Sequence, residues 1–449
     1  MTTTFKFLEL PEELRHVVLN HRTLSNCDQL CAALACRDFN RLVQLRRIVL
    51  HQTFVNQYPN IMKMELGDSP WATLVQAMRS AHRRGRPCEE LDAFIIRKYA
   101  HHNYRGVPLD VMFRVASTHP ELVAQLQRVV VNAPSFWDGG VSVHVADVVN
   151  SLPRMRTLEF VDDVLLENTD PKNLVYADPR VRYARVVVCN RDPNEHPTFA
   201  DVDLGQTVGA RQLDFLTIDG FFSATMAVRL ERARDAGLRF KGLCVEWSGI
   251  EPGSTPLAAE GCSRALADML MPGGHLELFD RKRSTSPFPA AIFHALVQKG
   301  KGEGGALSTL TMNSRCSTSL LPAVNSSRVP VAALHVSGER ANTSNEAEAA
   351  ALALKGMLTR GLVELSLCHF DMGRHPALFD EAHGLCKLAL EGEPLASVLG
   401  LLSREEAPLP SLKQLNVTPF FENGTIDLCE MTIVEGIAKR RNIQFHWSL

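Results

Sequence analysis

Residues 213–245 read LDFLTIDGFFSATMAVRLERARDAGLRFKGLCV, and this stretch decides the fold. It opens with an apolar-x-x-Leu-x-apolar pattern over residues 213–218 and closes with a second copy over residues 240–245. Alternating apolar residues of this kind predict strands. The intervening residues 223–237 begin with Ser and end with Gly, which predicts a helix. The stretch is therefore a strand–helix–strand unit.

The same strand pattern recurs along most of the chain, at an average spacing of about 28 residues. A stretch at residues 385–390 fits the pattern too, but also fits one face of a helix. Helix-like stretches lie between many of the copies. The central residues of the copies are Leu158, Leu216, Leu243, Leu310, Leu334, Leu365 and Leu415, with weaker copies at Val129, Val186 and Leu276.

This alternation resembles the leucine-rich repeat, especially the longer, helix-containing type of the ribonuclease-inhibitor-like horseshoes. The resemblance implies an α/β solenoid over residues 120–449, in which stacked units bury what no single unit can bury alone. The repeats are irregular, since the Asn/Cys ladder that follows each strand in that family is mostly missing. The alternative is a non-repetitive α/β domain, although no Gly-rich first turn of the nucleotide-binding type follows these strands.

In such a unit Leu216 and Ile218 point into the core, and Thr217 and Asp219 point to the concave face. A slip of one residue in strand register would exchange the whole set. The residues assigned in this way are mixed polar with no dominant charge, which favours a protein target over phosphate or nucleic acid. The predicted target-binding residues are Glu159, Thr217, Asp219, Cys244, Glu246, Thr311, Asn313, His335, Ser337, Ser366, Cys368, Asn416 and Thr418.

The N-terminal segment has a different, helical pattern. Pro11 opens a helix with Glu12 and Glu13 in its first turn, where the helix dipole favours acidic side chains. The segment resembles an F-box, with Phe39 in place of the usual Trp. The matching residues are Leu10-Pro11-Glu12-Glu13-Leu14, Val18-Leu19, Asp28 with Leu30, Leu34-Ala35-Cys36, and Phe39.

The F-box resemblance implies that this segment docks on the Skp-type adaptor of a cullin-based ubiquitin ligase, by burying an apolar helix face in a partner groove. The alternative is a generic helical hairpin that opens a helical domain. The residues that the resemblance places at the adaptor are Leu10, Pro11, Leu14, Leu19, Leu30, Cys36 and Phe39. We therefore expect an F-box-like helical domain at residues 1–50, a helical linker or cap at 51–119 and the solenoid at 120–449.

Composition narrows the function class. The chain has 449 residues with a formal net charge of −2, so its overall charge does not indicate nucleic-acid binding. Its 11 Cys residues are spread over the chain beside apolar residues, which indicates reduced thiols in a cytoplasmic or nuclear protein. No secretory signal or membrane-spanning segment is expected.

No catalytic or metal-binding motif stands out. We therefore expect no enzymatic activity and no cofactor, and the expected role is a substrate-receptor subunit of a Skp-cullin-F-box ligase. One alternative is a leucine-rich-repeat scaffold with no ligase role. Another is an α/β enzyme whose site has no recognisable motif.

Overall fold

The computed structural model describes the chain in two compact units, Met1–Leu165 with Thr169–Arg185, and Leu166–Asn168 with Val186–Leu449. Leu30, Cys36, Phe39 and Asn313 lie outside the described residues. The described residues are 10–19, 47–54, 75, 78–79, 82–83, 89–97, 115–132, 150–166, 179–190, 204, 211–250, 256–280, 288–300, 305–312, 317–337, 344–370, 374–404, 409–419 and 428–447.

The first unit combines parallel strands with short helices. Its strands pair in chain order, with Ile48 beside Leu91, Leu91 beside Val129 and Val129 beside Leu158. Val129 and Leu158 are fully buried, as their positions in the repeat pattern predict. Its elements are α1 (Glu12–Leu19), β1 (Arg47–Phe54), β2 (Glu90–Arg97), α2 (Pro120–Val123), β3 (Arg128–Asn132) and β4 (Thr157–Leu166), and β5 (Val181–Asn190) runs through the division between the units.

Two of these strands correct the sequence analysis. The linker or cap at residues 51–119 was expected to be helical, but Glu90–Arg97 within it is strand β2. Strand β1, Arg47–Phe54, crosses the boundary expected at residue 50, so parallel strands begin well before residue 120. Their short apolar runs fit a strand or a buried helix equally well, and pairing with neighbouring strands decides between the two.

The second unit alternates strands and helices. Its strands are β6 (Gln212–Phe222), β7 (Arg239–Ile250), β8 (Leu270–Asp280), β9 (Leu307–Met312), β10 (Val331–Ser337), β11 (Glu364–Cys368), β12 (Lys387–Glu393), β13 (Gln414–Pro419) and β14 (Gln444–Trp447). Its helices are α3 (Ala224–Asp235), α4 (Pro256–Met269), α5 (Phe288–Gly300), α6 (Ser317–Ser327), α7 (Ser344–Thr359), α8 (Leu395–Leu402) and α9 (Leu428–Arg440). A 3₁₀ turn, Pro376–Phe379, lies between β11 and β12.

The sheet of the second unit is open and parallel, with β6 to β14 side by side in chain order. A doubly wound α/β fold reverses its strand order at a switch point, and β6 to β14 show no such reversal. Residues 387–393 form a strand, which settles the ambiguity between helix and strand there. The fold class is therefore α/β, built from consecutive strand–helix units.

The core lies between this sheet and the helices. In each Leu-x-apolar triplet, the first and third residues pair with the equivalent residues of the next strand, so two rows of core residues run across the sheet. The strand register does not shift at these positions. The first row is at most 1 % exposed and consists of Leu216, Leu243, Leu276, Leu310, Leu334, Leu365, Leu388 and Leu415. Consecutive helices from α3 to α7 pack against each other, as do α8 and α9, and they contribute buried residues such as Leu230, Leu266 and Phe293.

The helix predicted at residues 223–237 is confirmed, with both of its end signals. The Ser223 Oγ accepts a hydrogen bond of 3.1 Å from the Met226 N–H, which caps the start of α3. Gly237 has a φ of 92°, the left-handed conformation in which many helices end.

Cations at the end of one helix bind the last carbonyl groups of the helix before it. A helix end leaves four carbonyl groups without intrahelical partners and carries partial negative charge, so a cation there is favourable. These helix-end contacts join neighbouring strand–helix repeats of the second unit, whose residues are 32 to 39 positions apart in sequence. They are Lys299 Nζ to Ala267 O at 2.9 Å, Arg360 to Asn325 O at 3.0 Å, and Arg441 to Leu402 O at 3.4 Å.

Candidate protein-binding surfaces

Side chains between the core rows form the outward face of the second unit's sheet. The residue after each core leucine meets its counterpart on the next strand. This first face row contains Thr217, Cys244, Glu277, Thr311, His335, Ser366, Ala389, Asn416 and His446. Two residues further along lies the second face row, with Asp219, Glu246, Phe279, Ser337, Cys368, Glu391 and Thr418.

A third face row lies two residues before the first. Its members are Phe215, Gly242, His275, Thr309, Ala333, Glu364, Lys387, Gln414 and Gln444. Side chains of the first and third rows contact each other along a strand, as His275 Nε2 and Glu277 Oε1 do at 2.8 Å. The rows therefore share one face, as the two-residue period of a strand requires.

The structure brings together the described target-binding candidates of the second unit. All of them lie in the first two face rows, so the strand register assumed in the sequence analysis is correct. Glu159 belongs to the first unit, where its Oε2 accepts a hydrogen bond of 2.9 Å from Arg128. Residues 217, 246, 311 and 335 are half-buried, whereas Asp219 and Cys244 are each only 4 % exposed. Asp219 and Cys244 thus offer little area to a partner.

Sequence reasoning missed several members of these rows. Glu277 lies between Leu276 and Leu278, which formed only a weak copy of the pattern. Ala389 and Glu391 belong to β12, whose sequence also fits a helix. The signal was present for Glu277 and Ala389, each of which lies between two core leucines, and Glu391 directly follows the second leucine of its pair.

The missed residues change the charge of the face. Among the described residues of the three rows, one lysine, Lys387, stands against five carboxylates. The carboxylates are Asp219, Glu246, Glu277, Glu364 and Glu391. The target-binding candidates on this face include only two of these carboxylates, Asp219 and Glu246, whereas the three rows together carry an acidic excess. Such a face repels phosphate and attracts cationic groups.

Cys244 lies among three of these carboxylates. Burial raises the pKa of its thiol, and the charges of Glu277, Glu246 and Asp219 raise it further. Cys262, in α4, is also buried, and burial raises the pKa of its thiol to about 12. Only the thiolate is a nucleophile, so neither side chain suits nucleophilic chemistry near neutral pH.

We expect Cys244 and Cys262 to resist alkylation in the native protein. At pH 8, iodoacetamide should modify the exposed Cys429 well before it modifies either buried thiol, because reaction requires both access and the thiolate. Peptide mass spectrometry over a time course measures the order of modification. Alkylation of Cys244 at the same rate as Cys429 would contradict the burial described here. Denaturation in urea should abolish the difference.

A second surface lies on α1 in the first unit. Leu14, Val17 and Val18 are 51 %, 60 % and 45 % exposed, and their spacing places them on one side of the helix. We call these three residues the apolar face of α1. Of the predicted adaptor-binding residues nearby, Pro11 is exposed and Leu10 is half-exposed, but Leu19 is only 5 % exposed in the chain by itself. Leu19 therefore supports the fold more than it serves a partner.

The described residues contain no group of three or more His, Cys, Asp or Glu side chains arranged to hold a metal ion. Within the same part of the chain, no helix combines the length and the apolar character that crossing a membrane requires. Comparison with known proteins found no matching family model and no similar curated protein.

Proposed function

We propose that this protein is a substrate receptor of a Skp-cullin-F-box ubiquitin ligase, built as a leucine-rich-repeat solenoid behind an F-box-like segment. Its N-terminal segment docks on the Skp-type adaptor and its outward sheet face holds a protein target. The observation that carries the proposal is the exposed apolar face of α1, which begins within the Leu-Pro-Glu-Glu-Leu motif. Exposed apolar residues at helical spacing suit a partner's groove.

The sheet face supports the target-binding half of the proposal. Its rows present hydroxyl, amide, imidazole and carboxylate groups on a backbone that the parallel sheet holds rigid. An array of this kind offers many weak contacts over a large area, which suits a protein surface better than a small substrate. Catalysis would belong to other subunits, and the receptor would contribute proximity.

A repeat scaffold with no ligase role is the second candidate. Strand β1 begins at Arg47 and is the first strand among the described residues, so the N-terminal segment precedes it in the chain. Repeat proteins commonly carry a cap at that position to cover the end of the core. The exposure of the apolar face of α1 favours a docking role over a purely capping role.

The decisive experiment measures binding of the full chain to a purified Skp-type adaptor. The triple change Leu14→Ala, Val17→Ala and Val18→Ala should weaken binding about 100-fold or more, since each buried aliphatic side chain contributes about 1.5–3 kcal/mol. Isothermal titration calorimetry gives the Kd. Circular dichroism checks that the variant keeps its fold.

The matched control changes three exposed apolar residues on helices of the second unit. Val228→Ala, Leu257→Ala and Leu352→Ala together should leave the Kd unchanged, because these side chains lie on α3, α4 and α7. If the wild-type chain does not bind the adaptor, or if the α1 variant binds as tightly, the ligase role is lost and the scaffold remains.

A further inference from the structure

A cavity opens at the amino-terminal ends of β9 and β10, away from the three face rows. Its volume is about 370 Å³, within the range typical of small-ligand sites. Part of its wall is apolar, and the apolar lining residues that are at least partly exposed include Pro330, Val331 and Ala332. Arg328 and Arg360 also line it, so cationic groups adjoin the apolar wall.

The charge of this cavity is not neutralised within the described residues. Arg360 donates to three neutral oxygens: Gly356 O at 3.1 Å, Asn325 O at 3.0 Å and Asn325 Oδ1 at 2.7 Å. A guanidinium has five N–H donors, so two are left for another acceptor. Arg328 and Arg360 line the same cavity, and burial together with the charge of Arg328 lowers the pKa of Arg360.

Arg328 occupies a position that suits other residues better. Gly237 and Gly361 follow α3 and α7 with φ of 92° and 97°, and Asn442 follows α9 with φ of 57°. Glycine and asparagine tolerate this left-handed conformation, whereas other residues are strained in it. Arg328 follows α6 with φ of 58°. Its conformation therefore costs stability that glycine there would recover.

Arg328 does not offset this cost as the neighbouring cations do. Lys299, Arg360 and Arg441 each bind carbonyl groups of the preceding helix. Arg328 is exposed, and within the described part of the chain its side chain has no such contact and no ion pair. A strained, exposed cation beside a cavity is positioned to bind an anionic group there.

We propose that this cavity binds a small organic anion, whose phosphate or carboxylate group lies between Arg328 and Arg360 and whose apolar part lies against Pro330, Val331 and Ala332. Two guanidinium groups provide the charge and the paired N–H donors that an oxyanion requires. The apolar wall distinguishes such a ligand from a bare inorganic ion. This inference does not depend on the proposed ligase role, because the cavity and the face rows lie at different positions along the strands.

Thermal unfolding of the full chain tests the proposal, with phenyl phosphate as the probe. At a concentration about tenfold above its Kd, phenyl phosphate should raise the Tm by about 3 °C. Inorganic phosphate and phenol at the same concentration should each raise it less, since each makes only part of the contacts. A parallel measurement with hexanoate, which carries a carboxylate group, shows whether the site prefers phosphate to carboxylate. If neither phenyl phosphate nor hexanoate raises the Tm, the proposal is wrong.

Arg328→Gly separates binding from folding. Without ligand, its Tm should be about 2–4 °C higher than that of the wild type, because the strained residue is gone. The shift with phenyl phosphate should be lost in Arg328→Gly and reduced in Arg328→Lys, which keeps the charge but not the paired N–H donors. Arg264→Gln, which removes an exposed cation from α4, should retain it. A full shift in Arg328→Gly would overturn the site, and a lower Tm without ligand would overturn the argument from strain.

Discussion

Phe240→Ala is expected to lower the free energy of unfolding of the second unit by about 3–5 kcal/mol. Phe240 is fully buried in β7 and stands in register between Leu213 of β6 and Leu270 of β8, which are also buried. Removing the ring loses the free energy gained by transferring it from water to the core, and it leaves a cavity that the rigid sheet cannot close. Urea titration followed by far-UV circular dichroism measures the change.

Phe215→Ala is the matched control, because it removes the same ring from the opposite face of the neighbouring strand. The Phe215 ring lies over Gly242, and its centroid is 5.8 Å from that of His275. Phe215 is only half-buried, so its loss should cost clearly less than that of Phe240. If the two variants cost the same, the assignment of inward and outward residues on these strands is wrong.

Lys299→Met is expected to cost about 2–4 kcal/mol of unfolding free energy, since hydrogen bonds to charged groups contribute about 1.5–3 kcal/mol each. Its ammonium group donates to Ala267 O at 2.9 Å and Asp268 O at 3.1 Å, and also to Leu270 O. Strand β8 begins directly after α4, so this one side chain serves carbonyl groups on both sides of the junction. Methionine fills a similar volume but leaves these groups without the cation.

Lys355→Met is the control for Lys299→Met. Lys355 lies on α7 and forms a more exposed ion pair with Glu381 at 3.5 Å. Surface ion pairs contribute between zero and about 1 kcal/mol, so this change should have a small effect. Urea titrations of both variants give the comparison, and a loss at Lys299 no larger than at Lys355 would show that the contact between helix ends adds little stability.

The strands of the second unit were the most predictable part of the fold. Each copy is weak, but stacked units must keep the same inward residues. Leu216, Leu243 and Leu310 therefore align as their spacing predicts, and all are fully buried. The outward residues followed from the same register, which is why Thr311 and His335 lie side by side.

The prediction was weaker where several structures fit one pattern. Glu90–Arg97 contains a continuous apolar run that suits a helix or a strand, and its pairing with β1 and β3 makes it a strand. Residues 387–393 were undecided for the same reason until β11 and β13 were placed on either side. Local sequence records which residues are apolar, but neighbouring strands decide which conformation satisfies the backbone hydrogen bonds.

The spacing of apolar residues by itself determined that consecutive strand–helix units build an α/β chain, because one inward side must be buried in every unit. The acidic excess of the outward face was decided only by the tertiary structure, which aligns carboxylates from β6, β7, β8, β11 and β12. So were the helix-end contacts and the cavity beside Arg328 and Arg360. Charges and hydrogen bonds act over a few ångströms, so residues more than 30 positions apart interact only once packing places them together.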